Sequence, residues 1–91
     1  MLMGRVVLMA KSTSELHVAI VKIFKDVMDV EDIEITNETT ADDVEEWDSL
    51  SHVRLIVAVE KKYAIKFSDA EIESLRKFGD LVTAVARKTN A

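Results

Sequence analysis

Trp47-Asp48-Ser49-Leu50-Ser51-His52-Val53-Arg54-Leu55-Ile56-Val57-Ala58-Val59-Glu60-Lys61-Lys62-Tyr63 is the stretch on which the fold turns. Read as a helix, it opens at Asp48 or Ser49, where a carboxylate can cap a first-turn N–H, and runs to about Tyr63. Leu50, Val53, Leu55, Ile56, Val57, Ala58 and Val59 are then apolar on more than one side, so core must cover one face and something else another. Read as a strand, residues 55–59 are rich in β-branched side chains, and Tyr63, Ile65 and Phe67 alternate. Glu60-Lys61-Lys62 makes a poor hairpin turn, which favours the helix.

Upstream of this helix the pattern changes. Residues 29–48 hold ten acidic side chains and no Lys or Arg, and no helical period survives there. Val30, Ile33 and Ile35 are scattered apolar anchors that would tack a long loop onto a core, and loops of this length tend to be functional. A short helical turn is expected at residues 40–44, with Thr40 capping Asp42 and Asp43. The acidic run reads either as a solvated loop or as a docking surface for a basic partner.

Further out, the helices are announced by their caps. Ser12-Thr13-Ser14-Glu15 fits a capping box, and Leu16, Ala19, Ile20, Ile23, Phe24 and Val27 follow at steps of three and four, to about Met28. Ser68-Asp69-Ala70-Glu71 is a second capping box ahead of Ile72 and Leu75, predicting a short helix of about two turns. Gly79-Asp80 reads as a break and restart. Leu81, Val82, Val85 and Ala86 then face inward, with Arg87 and Lys88 suiting the negative C-terminal end. The expected fold is all-α, a four-helix bundle of three main helices plus a short third one, with a long loop after the first.

Ninety-one residues suffice for one core, and 48% hydrophobic with 32% charged side chains is a globular balance. Residues 1–11 read as a disordered tail or over-extended start rather than a signal peptide, leaving 12–91 as the folded domain. No apolar run approaches the roughly 20 residues of a membrane span, so the cytoplasm and a monomer are the expectation. A net charge of −5 argues against nucleic acid as partner. There is no cysteine, which excludes disulfides, a thiolate nucleophile and thiolate metal sites, so thioester chemistry would need a thiol from outside the chain. Residues 29–40 lack the glycine and terminal glutamate of an EF-hand loop, and His17 and His52, without ligand spacing, read as surface residues. No metal site is expected. Nothing resembles a general base beside a nucleophile.

Ser49 carries the chemistry. At the first position of a helix its hydroxyl stands over unpaired N–H groups and the positive end of the dipole, a setting suited to a phosphate ester. Taken alone, Asp48 and Ser49 read as plain capping residues, which are common, and it is the acidic loop before them and the apolar helix after them that favour the other reading.

Here the sequence resembles the acyl carrier protein family, over about residues 14–89. Asp48-Ser49-Leu50 looks like that family's attachment motif, whose serine bears 4′-phosphopantetheine. Residues 47–52 resemble the discrete, stand-alone carriers of specialised pathways, Asp42-Asp43-Val44 matches the approach to the motif, and Gly79-Asp80-Leu81-Val82 resembles the start of the final helix. The resemblance implies that Ser49 accepts phosphopantetheine from coenzyme A through a separate phosphopantetheinyl transferase using a metal ion. The arm's thiol would carry an acyl or aminoacyl thioester between loading and processing enzymes. The chain would be a carrier and not a catalyst.

Two departures modify what the family implies. The second helix of family members serving fatty-acid synthesis is acidic, whereas here it offers Ser51, Arg54, Lys61 and Lys62 against Glu60. The partner contact therefore moves to Asp48, Leu50, Val53, Arg54 and Val57, with the loop acids steering, and a specialised pathway is expected. The usual glycine before the motif is also missing, and Trp47 in that neighbourhood reads as a core anchor or a partner contact. Ile56, Val59, Tyr63, Ile72 and Leu75 would line an acyl shelter if the bundle has one, or otherwise form ordinary core. The reading from another class is an unmodified helical module whose acidic loop binds a basic partner.

Overall fold

A computed structural model describes residues 13–89. The proposed tail at residues 1–11, and the capping box opened by Ser12, lie outside them. Among the described residues four helices follow in order: α1 (Thr13–Met28), α2 (Ser49–Tyr63), α3 (Asp69–Ser74) and α4 (Phe78–Thr89). Residues 55–59 are helical. Leu55, Ile56 and Val59 are buried while Val53 and Val57 are exposed, the partition that 3.6 residues per turn imposes and a strand would not.

Leu16, Ile20, Phe24 and Met28 form one buried stripe of α1, meeting Leu55, Ile56 and Val59 of α2 and Phe78, Leu81, Val82 and Val85 of α4. Phe24 is the hub. Its ring meets Trp47 edge-on at 5.1 Å and Phe78 at 5.6 Å, the perpendicular arrangement that aromatic quadrupoles favour. Both α1 and α2 stop with a non-glycine residue in the left-handed region, Asp29 at φ 59° and Ala64 at φ 56°. The following amides close over the helix ends, Val30 N–H on the Lys25 carbonyl and Ile65 N–H on that of Glu60, each at 3.1 Å.

The long loop is tied down, as its apolar residues suggested. Ile35, Val44 and Trp47 are buried, and Val30 and Ile33 partly so. Turns occupy residues 41–43, but the cap expected of Thr40 runs the other way: Thr40 N–H and hydroxyl both donate to Asp43 Oδ2, at 3.0 and 3.2 Å. A tight turn at residues 36–39, in which Thr36 N–H donates to Thr39 Oγ1 at 2.8 Å, brings two carbonyls to the start of α4. Phe78 N–H donates to Thr39 O at 2.8 Å and Gly79 N–H to Asn37 O at 3.0 Å. These would otherwise be orphan donors of a helix terminus.

Gly79 is therefore not a breaker. It lies in the first turn of α4, and the chain bends before it, at residues 75–77. Glycine is required because a Cβ there would stand 2.8 Å from Asn37 Cβ and 2.9 Å from Asn37 O. We expect Gly79→Ala to destabilise the fold by about 1–2 kcal/mol, the overpacking cost outweighing alanine's better helix propensity. Urea unfolding measures it. A stabilised variant would show that the loop yields freely.

Among the described residues no helix is long and apolar enough to cross a membrane. Lys77–Glu38 at 2.8 Å and Lys88–Glu71 at 2.9 Å form ion pairs at the surface. The first is exposed and adds little. The second joins α3 to α4, and Lys88 also lies 5.2 Å from the Phe67 ring centre.

Candidate functional site

Two serines share the first turn of α2 and differ in what they hold. Asp48, extended at φ −110° and ψ −172°, is the N-cap, and its carboxylate accepts from Ser51 N–H at 2.9 Å. Ser51 completes a reciprocal box: its Oγ accepts from Asp48 N–H at 2.9 Å and donates to the Glu46 carbonyl at 2.6 Å. Ser49 stands two residues earlier, at the first helical position, exposed, and its Oγ has no hydrogen-bond partner among the described residues. One hydroxyl is committed to the cap and the other is free to react.

The Asp48 carboxyl is held below the usual carboxylate range, first by the Ser51 N–H and then by the Ser51 hydroxyl, against a small opposing effect of burial. Because the unfolded chain binds a proton more readily there, this cap contributes its stability in full above the ordinary pKa of about 4. The contribution fades as pH falls through the lower folded value. Asp80 behaves alike, lowered chiefly by the Lys77 N–H that it caps at 3.0 Å. Asp48→Asn keeps a capping oxygen but cannot ionise. We expect it to leave neutral stability nearly unchanged and to flatten the loss of stability below pH 4, followed by circular dichroism. An unaltered acid profile would contradict this assignment.

Beside Ser49 a groove of about 870 Å³ opens between α2 and α3, lined by Trp47, Asp48, Ser49, His52, Val53, Ile72 and Leu75 and, toward α3, by Asp69, Glu73 and Arg76. Its floor is fastened by His52. Trp47 Nε1–H can only donate, so His52 Nδ1 accepts it at 3.0 Å, and the protonated Nε2 donates to the Ile72 carbonyl at 3.3 Å. The two rings also stack, with centres 6.1 Å apart.

Neither histidine is a freely exposed surface residue, both being half-buried. His52 sits in this clasp, and His17 lies edge-on to Phe78 at 5.2 Å, bonded to Asn37 Oδ1 at 2.9 Å. A signal for His52 was available in its spacing, because it falls on the stripe of Ile56, Val59 and Tyr63 rather than that of Leu50, Val53 and Val57. Trp47 is a core residue, 5% exposed.

The residues expected to make partner contact come together on the outward side of α2. Leu50, Val53, Arg54 and Val57 are all exposed, with Asp48 at their N-terminal end. The residues expected to line an acyl shelter divide. Ile72 and Leu75 face the groove, Ile56 and Val59 are sealed in the core, and Tyr63 is half-buried, its phenol pushed up by desolvation.

The groove and the free hydroxyl fit a serine-linked phosphopantetheine. The hydroxyl is unencumbered, the helix start suits a phosphodiester, and an apolar trough runs from it. Comparisons with known proteins agree. Residues 18–85 match the model of the phosphopantetheine attachment site family. The meromycolate extension acyl carrier protein of Mycobacterium leprae is 37% identical over 79 residues, covering 87% of this chain and 69% of that protein. The acyl carrier protein of Acidothermus cellulolyticus is 31% identical over 81 residues, covering 89% of this chain and 96% of that one. The solution structure of the holo acyl carrier protein from Geobacter metallireducens superposes with a TM-score of 0.75 at 44% identity, over 79% of this chain and 83% of that one.

Proposed function

The chain belongs to the phosphopantetheine attachment site family, among the acyl carrier proteins, and from that premise we propose that Ser49 is the residue that takes the arm. The observation that carries the proposal is the contrast within one helical turn: Ser51 Oγ is bonded to the Glu46 carbonyl and the Asp48 cap, while Ser49 Oγ is exposed and has no partner among the described residues. In the transfer, Ser49 Oγ attacks a phosphorus of the coenzyme A pyrophosphate. A new P–O bond forms, the hydroxyl proton goes to the transferase's base, and the nucleotide half leaves. Bound there, the group supplies the thiol that this cysteine-free chain lacks, and that thiol carries cargo as a thioester.

The protein is a carrier rather than a catalyst. What its own residues do is hold and present. Asp48 and Ser51 fix the helix start under Ser49, and Trp47, His52 and Ile72 keep α3 against α2 so that the groove stays open beside it. Ile72 and Leu75 offer apolar contact to the arm or the cargo's first carbons. Separate enzymes attach the arm, load the acyl or aminoacyl group and process it, docking through Asp48, Leu50, Val53, Arg54 and Val57, and the chain works as a cytoplasmic monomer. The similarity to meromycolate extension carriers supports a specialised acyl-chain pathway over central fatty-acid synthesis. An unmodified module that binds through its acidic loop is not favoured.

The test is direct. The purified chain is incubated with coenzyme A and a broad-specificity phosphopantetheinyl transferase, and intact mass is measured. A gain of one phosphopantetheine, mapped to Ser49 by peptide fragmentation, is the expected result. No gain in folded protein, or a gain on another residue, would refute the assignment.

A further inference from the structure

The outward stripe of α2 carries an apolar patch and charges of two signs at its two ends. Leu50, Val53 and Val57 are 64%, 51% and 41% exposed, large side chains that the bundle leaves uncovered. With Arg54 and Lys61 they recur at the steps of three and four that align residues on one helix face, opposite the buried Leu55, Ile56 and Val59. Such a patch marks an interaction site more often than do single scattered residues.

At the Ser49 end acids predominate. Glu45, Glu46 and Asp48 are all exposed, and Asp69 and Glu73 lie across the groove with Arg76 as one cation beside them. Beyond the first turn α2 presents no free acid. Its single carboxylate there, Glu60, is half-buried and turned to the following loop, accepting the Phe67 N–H at 2.8 Å. Arg54, Lys61 and Lys62 are exposed, and none has an ion-pair partner among the described residues. At 1.5 Å per residue, Asp48 and Lys61 stand about 20 Å apart along the axis. That exceeds the screening length of about 8 Å at physiological salt, so the two ends are read by a partner separately.

We propose that the enzymes served by this carrier dock on α2 through a two-signed cradle: an apolar hollow receiving Leu50, Val53 and Val57, with carboxylates facing Arg54 and Lys61. This deepens the carrier reading and rests on it. A uniformly basic cradle would set like charge against Arg54 and Lys61, excluding enzymes built for an acidic helix. Opposite signs at the two ends also fix the direction of docking, cations by the Ser49 end and carboxylates by the far end. Ser49 is thereby aimed at one side of the cradle.

The probe is the full chain carrying benzoylphenylalanine at Lys62, converted to the holo form and irradiated in extract of the producing organism. Cross-linked peptides are then sequenced. The expected cross-link falls on an acyl-transferring enzyme at a surface rich in Asp and Glu. It disappears with Leu50→Asp, weakens about tenfold with Arg54→Glu/Lys61→Glu, and returns when the partner's facing carboxylates are reversed to lysine. A cross-link on a Lys- and Arg-rich surface, an undiminished yield from the double reversal, or no Leu50-dependent cross-link would overturn the proposal. Failure here with a normal phosphopantetheine mass gain removes the two-signed cradle alone, whereas failure of the mass gain removes the carrier assignment beneath it. Helical circular dichroism of each variant excludes unfolding as the cause.

Discussion

Ser49→Ala is expected to abolish phosphopantetheine incorporation completely while leaving unfolding free energy within about 0.5 kcal/mol of the parent. The side chain is exposed and its hydroxyl makes no hydrogen bond among the described residues, so its removal exposes no buried group and breaks no cap. Ser51→Ala should do the reverse. It breaks the bonds to Asp48 N–H and the Glu46 carbonyl, costing about 1 kcal/mol as cap losses do. It leaves the acceptor in place, so the mass gain persists. Intact mass and urea unfolding of the two variants, side by side, give a crossed pattern. If Ser51→Ala loses the modification and Ser49→Ala keeps it, the roles of the two serines have been exchanged and the site is misassigned.

Trp47→Ala is expected to cost about 3–5 kcal/mol, the largest stability effect of any single loop substitution. The indole is buried, its ring meets Phe24 at the centre of the bundle, and its N–H holds His52. A domain of this size has a total stability of roughly 5–14 kcal/mol, so the variant stands near the edge of folding. Trp47→Phe keeps most of the ring and loses the N–H donor. It should cost about 1–3 kcal/mol, the penalty for leaving a partly buried His52 nitrogen unpaired. Chemical denaturation followed by circular dichroism reads both. A cost below about 1 kcal/mol for Trp47→Ala would mean that the loop is not anchored by this residue.

How much of this could be read from the sequence follows from the range of the interactions involved. The start of α2, the capping box Ser68–Glu71 and the inward faces of α1 and α4 are encoded within a few residues, and all were legible. The contest between helix and strand at residues 55–59 was legible only through a weak turn, because β-branched side chains suit either state. The inward position of His52 was legible in its helical spacing, but the long-range bonds of His17 and His52 were not, since Asn37 and Ile72 lie 20 residues away. Gly79 was misread for the same reason: Asn37 decides that it must be glycine, and nothing adjacent reveals this. At the site, Ser49 stood out as a residue. That Ser51 is already committed, and that Glu60 is turned off the exposed stripe, required the folded chain.

The start of α4 has a dynamic consequence. Asp80 caps the Lys77 N–H locally, but the amides of Phe78 and Gly79 are closed only by the carbonyls of Thr39 and Asn37, so the first turn of the last helix is incomplete until the long loop is in place. Loop opening and unwinding of that helix end are then one event with one free energy, although the segments lie some forty positions apart. In hydrogen exchange the amides of Phe78 and Gly79 should open together with that of Thr36, and more slowly than the exposed acidic residues between them. An enzyme that pulls on the acidic loop would thus be felt first at the far helix.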